Sequence, residues 1–470
     1  MTIRLDGLQS GMDTTALIKS MIDAERLPFV RKQNEIYVNE DKIYAWSKID
    51  TNVTTLNGKA VKLNTYSVWQ QKKASTPEDD GVLTSTATKD AANGTYNVSV
   101  ANIAQEHRIS SDDQGSTSTA LGFSGDFTVG DQSVTVETTD TLSDIRDKIN
   151  DAATSMDAEK KVNATIIGNT LVLERDKTGA TEIEISEATG NTVLRDLGIL
   201  TATESPAGTF QEVKNQLQEP KDLAATINGV AVTSTENTGI DTFMDGVTLN
   251  FKTAGDTTLT IESDKDTIKD LIKEFITAYN DAMSVAEDAS AVNLDKATTG
   301  EDGAVESLGL LQGDFLLSEI KSRTRRIMTT MDTNPQHMDQ DYNTLQKIGI
   351  WTSGKENRLS IVDEEALDDA LENHWDEVED LFRDYDSGIM RKMVEYTDAL
   401  ISPLEGQVVN RRTNLEKQNT TLQRQIDDFD ARVPDIENEY YERFAKMETQ
   451  LAEIQGQSGY VLSSLGIKQG

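Results

Sequence analysis

The sequence predicts a multidomain α+β fold: long terminal coiled-coil helices, a helical domain, and two inserted β-rich domains forming a head. Three observations support this. Near both ends of the chain apolar residues recur in steps of three and four, the spacing that holds one helical stripe against a partner. Between about Val82 and Ile261 the apolar period changes to two, as in half-buried strands. From Asp266 onward the period is helical again.

At the start, Gly7 and Gly11 lie in a polar lead, and Asp13 or Thr14 suits a helix N-cap. Leu17, Ile18, Met21 and Ile22 then form a narrow apolar stripe that Pro28 is expected to interrupt. The pattern resumes through Ile36, Ile43, Trp46, Ile49, Val53, Leu56, Ala60 and Leu63. At the other end, about Gln407 to Gln455 reads as one long amphipathic helix. Its stripe runs through Leu415, Leu422, Ile426, Phe429, Val433, Ile436, Tyr440, Phe444, Met447, Leu451 and Ile454. The two steps of four from Ile436 to Phe444 form a stutter that relaxes left-handed supercoiling. At 1.5 Å per residue this helix spans roughly 70 Å, more than a globular domain covers. Pro434 lacks an amide donor, so a kink or a restart with Pro434 in a new first turn is expected. The economical reading is that the two end helices pair and that everything between them is a folded insertion. Spacing alone leaves both an intramolecular hairpin and a self-association element open.

Inside the insertion, Tyr96, Val98 and Val100 alternate with polar residues as one strand. The segments 127–129 and 134–136 flank Gly130-Asp131 as a hairpin, and Leu142, Ile145 and Ile149 lie on a short helix capped by Asp140 or Thr141. Strands at 164–166 and 171–173 join through Gly168-Asn169. Ile183 and Ile185 give a further strand, and Val193, Leu194 and Leu197 a short helix or turn. The polar segment 205–221, with Pro206 and Pro220, reads as a connection. Asn228-Gly229 between 225–227 and 230–232 is the strongest hairpin signal in the chain. Val247, Leu249, Phe251, Leu259 and Ile261 complete the strands. The helical pattern then resumes with Ile268, Leu271, Ile272, Phe275, Ile276, Tyr279 and Met283, and Asp363 is placed to cap Leu367, Leu371, Trp375, Val378 and Leu381. The resulting division is a leg at 1–42 pairing with 404–470, a helix of the helical domain at 43–78, an inner β domain at 79–116 and 211–265, an outer β-rich domain at 117–210, and a helical domain at 266–403.

Composition narrows the function classes. The 470-residue chain carries a formal net charge of −36 and has a pI near 4.4. Nucleic acid and anionic membrane surfaces attract Lys and Arg patches, so neither is an expected partner. No run approaches the roughly 18 apolar residues of a membrane span, and the first residues lack the apolar core of a secretory signal. The absence of cysteine excludes disulfides, thiolate metal sites and cysteine nucleophiles. His107, His337 and His374 are far apart and have no ligand-spaced companion, so no metal site is expected. The acidic run from Asp363 to Asp386 interleaves with Leu and Val at helical spacing and reads as a solvated face, without the spacing of a calcium loop. Lys321, Arg323, Arg325 and Arg326 form either an exposed helix face or a docking patch for an acidic neighbour. Phosphate-loop, nucleophile-elbow and dinucleotide-binding spacings are absent, so no catalytic residue and no cofactor is expected.

The ends carry a resemblance. GLQSGMDTTALIKSMIDAERLPF resembles the N-terminus of the bacterial flagellar filament cap proteins, FliD or hook-associated protein 2, with Gly7, Leu8, Ser10, Gly11, Asp13, Thr14, Ala24, Glu25, Arg26 and Pro28 matching and Met12 in place of the usual leucine. GTYNVSVANIAQEHRISS is similar to the family's first strand, and DGVTLNFKTAGDTTLTIESDKDTIKDLIKEFITAYNDAM to the passage from its inner β domain into its helical domain. The tail resembles the family's terminal coiled coil, with Phe444, Met447, Glu448, Gln457 and Ser458 on its characteristic positions. Pro434 departs from the charged residue of the family pattern, and 115–215 matches least specifically.

The resemblance implies a secreted, non-enzymatic protein exported unfolded through the flagellar type III apparatus to the filament tip. There a homo-oligomeric ring, often of five copies, helps flagellin fold and insert below it. Flagellin, the hook–filament junction proteins and an export chaperone are the implied partners, with no membrane insertion. Self-association and filament docking are expected on the terminal stripes, at Leu17, Ile18, Met21, Ile22, Leu422, Ile426, Phe429, Phe444, Met447, Leu451 and Ile454. Three alternatives have their own signatures. A tip-exposed adhesin would bind surface ligands through the outer β domain, a cytoplasmic coiled-coil scaffold would share the composition, and a hook–filament junction protein would not keep this segment order.

Overall fold

The computed structural model describes residues 11–77, 81–187, 190–201, 212–291, 309–330, 342–352 and 358–464. The lead 7–10, His337 and the part of the polar connection around Pro206 lie outside the described residues. In chain order the elements are α1 (Thr14–Asn64), α2 (Tyr66–Trp69), β1 (Lys72–Ser75), β2 (Leu83–Ala87), β3 (Gly94–Asn102), β4 (Arg108–Ser110), β5 (Gly125–Val129), β6 (Gln132–Val136), α3 (Leu142–Ala153), β7 (Val162–Ile167), β8 (Thr170–Arg175), β9 (Ile185–Glu187) and α4 (Val193–Asp196). There follow β10 (Gln216–Gln218), β11 (Leu223–Ile227), β12 (Val230–Ser234), β13 (Ile240–Met244), β14 (Val247–Phe251), β15 (Gly255–Ser263), α5 (Lys265–Ser290), α6 (Phe315–Thr329), β16 (Ile350–Thr352), β17 (Leu359–Ile361), α7 (Glu364–Asn373), α8 (Trp375–Arg383), α9 (Ile389–Ile401) and α10 (Gln407–Ser464). The chain divides into two compact units, Met1–Tyr66 with Lys265–Gly470, and Ser67–Asp264.

The first unit is built on α1, where Asp13 accepts the Ala16 amide at 2.9 Å as N-cap. The expected break at Pro28 is absent, and α1 runs through it for 51 residues. A proline inside a helix costs about 3 kcal/mol. Packing offsets that loss here, because Ile18 and Ile36 are buried on either side and Phe29 stacks on Phe429. The kink or restart expected at Pro434 is likewise corrected. Helix α10 is continuous over 58 residues with Pro434 inside it, and Val433 and Ile436 beside the proline stay half-buried.

Farther along, α1 gains more neighbours, and Trp46, Ile49, Val53, Leu56, Ala60 and Leu63 are buried. Asp50 pairs with Arg412 of α10 at 3.0 Å, Lys59 with Glu274 of α5 at 2.6 Å, and Asn57 bonds Thr397 of α9 at 2.8 Å. Asp363 caps α7 through the Ala366 amide. The stripe from Leu367 to Leu381 is split between α7 and α8 at His374, whose φ of −133° and ψ of 38° are not helical. A ladder of ion pairs joins α5 to α7, with Lys265 on Glu372, Lys269 on Glu364 and Asp368, and Lys273 on Glu364.

The second unit contains two hydrophobic cores. One lies between a five-stranded sheet of order β1-β15-β3-β11-β12 and a three-stranded sheet of order β13-β14-β2, and it buries Val98, Val100, Leu223, Leu249, Phe251 and Leu259 among others. The β11–β12 hairpin turns on Asn228-Gly229 at φ 49° and 82°, the left-handed pair that a two-residue turn requires. The other core belongs to the sheets β10-β4-β8-β7 and β6-β5-β9 together with α3. Thr141 and Asp144 close a reciprocal capping box at the start of α3. Strands β4 and β10, at 108–110 and 216–218, add to this sheet from outside the 117–210 span, and Ile109 is fully buried in its core.

Candidate docking surface on the terminal helices

α1 and α10 pack side by side in antiparallel register. From the middle of α1 toward its start the matched pairs are Asn39 with Asn419 at 2.9 Å, Lys32 with Gln425 at 2.5 Å, and Arg26 with Asp430 at 3.2 Å. Between the last two, the rings of Phe29 and Phe429 stack with centroids 3.9 Å apart and planes 13° apart. Near the far end Tyr440 donates to Glu25. That hydrogen bond to a carboxylate keeps the phenol proton on, raising the pKa of Tyr440. Asn39 is buried in the seam, and the half-buried Asn419 also donates to the Ile36 carbonyl at 3.5 Å. An asparagine pair of this kind favours one register over its neighbours, because a slip strands the buried Asn39 amide.

The terminal stripe residues fall into three groups. Ile18 and Phe429 are buried, at 1% and 4% exposure. Met21, Ile22, Leu422, Ile426, Phe444, Met447 and Leu451 are half-buried. Leu17 and Ile454 are exposed, at 42% and 61%. The register of these pairs, carried on toward the start of α1, places Ile18, Met21 and Ile22 level with about Asp435 to Glu439 of α10.

Two features of this surface went unread in the sequence. Leu27, Val30, Tyr37 and Tyr44 are all more than half exposed and form a second apolar stripe on α1, about 150° around the helix from the first at 3.6 residues per turn. Their spacing of three, seven and seven was the available signal, masked by Asn34 and Asp41 between them. The second feature is a crevice of about 500 Å³ between α1, α10 and the turn into α6, lined by Trp46, Leu311, Phe315 and Leu415. Arg411 spans it to Asp314 at 2.7 Å, and the same aspartate caps α6 through the Leu316 amide.

Among the described residues the histidines have ordinary structural partners. No group of His, Asp and Glu there is arranged to hold a metal ion. His107 is buried, and its Nδ1 accepts the Ile183 amide at 2.8 Å, while burial lowers its pKa. His374 lies 3.3 Å from Glu377 and against the Tyr342 ring. The basic residues of α6 are partly engaged, Arg323 lying over Tyr396 and near Glu319, and Lys321 bonding Ser290. Among the described residues no helix is long and apolar enough to cross a membrane.

Long terminal helices that pack together, with β-rich modules inserted between them in the sequence, define the class: an α+β protein built on its paired chain ends. Family models make the class particular: the flagellar hook-associated protein 2 N-terminal model matches residues 10–107 and the C-terminal model residues 221–456. The chain belongs to the flagellar hook-associated protein 2 family, the FliD filament caps, and is a non-enzymatic protein of the filament tip. It is 26% identical over 496 residues to the A-type flagellar hook-associated protein 2 of Pseudomonas aeruginosa, covering 98% of this chain and 97% of that protein. The B-type protein of the same species is 27% identical over 451 residues, covering 90% and 88%. The crystal structure of the flagellar cap protein FliD D1-D2-D3 domains from Escherichia coli superposes with a TM-score of 0.51 at 21% identity, covering 79% of this chain and 99% of that one, a likeness of fold.

Proposed function

We propose that the paired α1 and α10 helices are the part of the cap that seats in the filament end, with the β-rich unit covering it. The observation that carries this is the long two-helix pairing itself, whose far end still presents Leu17 and Ile454 to solvent. Long helices with one apolar stripe gain most of their stability from packing, so such a leg gains from further helical neighbours. In this reading 1–42 with 404–470 is the leg and 117–210 the outer domain. Leu17, Ile18, Met21 and Ile22, with Leu422, Ile426, Phe429, Phe444, Met447, Leu451 and Ile454, hold the leg together and dock it. The partners are flagellin, further copies of the chain in a ring of about five, the hook–filament junction proteins when the first filament forms, and an export chaperone.

Replacing Ile18 and Met21 together with aspartate tests the assignment. Each buried unpaired charge costs several kcal/mol, enough to undo a modest interface. The variant should accumulate, be exported and keep a folded β-rich unit, yet fail to seat. Cells carrying it should shed soluble flagellin and grow few or short filaments. Full-length filaments from a variant that is made and exported normally would defeat the assignment.

A further inference from the structure

Asparagine followed by glycine is the dipeptide most open to spontaneous deamidation, because no side chain on the second residue hinders its amide nitrogen. The chain carries it at Asn57-Gly58, Asn93-Gly94 and Asn228-Gly229. We propose that Asn93 is a modification site, converted by water to aspartate and isoaspartate in the folded protein, while Asn57 and Asn228 are held unreactive.

The chemistry needs no enzyme. The Gly94 amide nitrogen attacks Asn93 Cγ and forms a C–N bond. The side-chain nitrogen leaves as ammonia, taking with it the proton of the Gly94 amide. Water then opens the resulting succinimide ring at either carbonyl, giving aspartate or isoaspartate. Two conditions set the rate: the side chain must swing onto the next amide nitrogen, and that nitrogen must be released from the backbone ladder.

The fold separates the sites on both conditions. Asn57 lies inside α1, and its Nδ2 donates to Thr397 Oγ1 at 2.8 Å and to Asp398 Oδ1 at 2.9 Å. Reaction there requires α1 to open beside its packed neighbours. Asn228 is exposed in a turn, yet its Oδ1 accepts the Asn97 amide at 2.8 Å and its own amide donates to the Asn97 carbonyl at 2.8 Å. The hairpin fixes its φ at 49°. Asn93 has none of these restraints. It is exposed and lies outside any helix or strand, and among the described residues its side chain has no hydrogen-bond partner. Gly94 is the first residue of β3, opposite Ile261 at the end of the β3–β15 ladder. Only that terminal rung has to open, and ladder ends fray far more readily than helix interiors.

Isoaspartate carries the main chain through its β-carbon, which adds one backbone atom between positions 93 and 94. The surroundings leave little room for it. Ala91 is buried, and its amide is tied to the Thr88 carbonyl at 3.1 Å. Tyr96 donates to the Ala92 carbonyl at 3.2 Å, and its ring lies over Gly94. The extra atom pushes Gly94 away from Ile261, which is 1% exposed in the core between the two sheets. A tip protein that stays outside the cell thus records its age in this sheet.

The test ages the purified full-length protein in mildly alkaline buffer made with heavy-oxygen water. Mass spectrometry of its peptides reads the incorporated label, and isoaspartyl methyltransferase with labelled methyl donor reads the isoaspartate. Label should enter at Asn93 at least about tenfold faster than at Asn57 or Asn228, because the opening it requires is easier. In denaturing urea the sites should convert at similar rates, which assigns the difference to the fold. The aged parent should lose amide protection in β3 and β15. Asn93→Gln, aged alike, should keep it, since glutamine closes the corresponding six-membered ring far more slowly. Asn93 is exposed, so this replacement leaves the fold intact, which circular dichroism verifies. Label at Asn57 or Asn228 as fast as at Asn93, an unlabelled Asn93 in the folded chain, the same order of rates in urea, or equal loss of protection in the glutamine variant would each overturn the proposal.

Discussion

Replacing Phe429 with alanine measures how much of the α1–α10 pairing rests on one ring. The ring is 4% exposed and lies flat on Phe29, 3.9 Å between centroids. Phe→Ala substitutions in closed cores cost about 3–5 kcal/mol, and a stacked aromatic pair adds about 0.5–1.5 kcal/mol beyond its buried area. This site is a seam between two helices, so neighbours can close over part of the void, and about 3 kcal/mol is expected. Whole domains are stable by only about 5–15 kcal/mol, and local openings by less. The loss should therefore appear as local opening of the pair. Amide exchange in α10 on either side of position 429 should rise by about a hundredfold, since each 1.4 kcal/mol is a factor of ten. Strands of the second unit, such as β8 around the buried Leu173, should keep their protection because their core is separate. Unchanged exchange around 422–436, or an equal loss in β8, would refute the reasoning.

Three further outcomes are expected. A fragment of 105–221 should melt cooperatively, whereas 117–210 lacks β4 and β10 and should melt lower or not at all; equal melts would show those strands to be dispensable. His107 holds its neutral form by burial, with a pKa below 6.5, so its contribution to stability is full above that value and lost as pH falls through it toward the folded value. The melting temperature of 105–221 should thus drop between pH 7.5 and 5 by more in the parent than in His107→Gln, and identical drops would exclude His107 as the source. Thr141→Ala removes the capping box of α3 and should cost about 1 kcal/mol in the same fragment, read by urea denaturation.

Pairing of the chain ends was legible because Leu422 to Leu451 and Ile43 to Leu63 keep strict helical spacing, which only a partner explains. The Asn228-Gly229 hairpin was legible because few other residues tolerate two successive positive φ angles. Pro28 and Pro434 misled, since their local cost is visible in sequence and the cross-helix packing that offsets it is not. Strands β4, β10, β16 and β17 are three residues each, too short for a period of two to register. The outer stripe of α1 was hidden for a different reason. Asn34 and Asp41 interrupt it, and without the position of α10 nothing distinguishes a second face from a broadened first one.

The antiparallel strands at each junction bear on how the chain ends find each other. Strand β1 leads into the second unit and β15 leads out, paired from Lys72↔Ser263 onward, with Asp264 donating to the Gln71 carbonyl at 3.0 Å. Farther in, Gln105 and Lys221 bridge where the chain leaves for the outer sheets and returns. Each insertion thus brings its own ends together as it folds. Closing a flexible loop costs more as the loop lengthens, if only by about 0.6 kcal/mol per doubling. Once β1 and β15 have zipped, that cost no longer depends on what lies between them, and α1 and α5 behave as though joined by a short turn. The outer module can therefore lengthen, shrink or be exchanged without retuning the helices. In synthesis from the N-terminus α1 is made early and waits for α10, and the folding of the insertions shortens the search that remains.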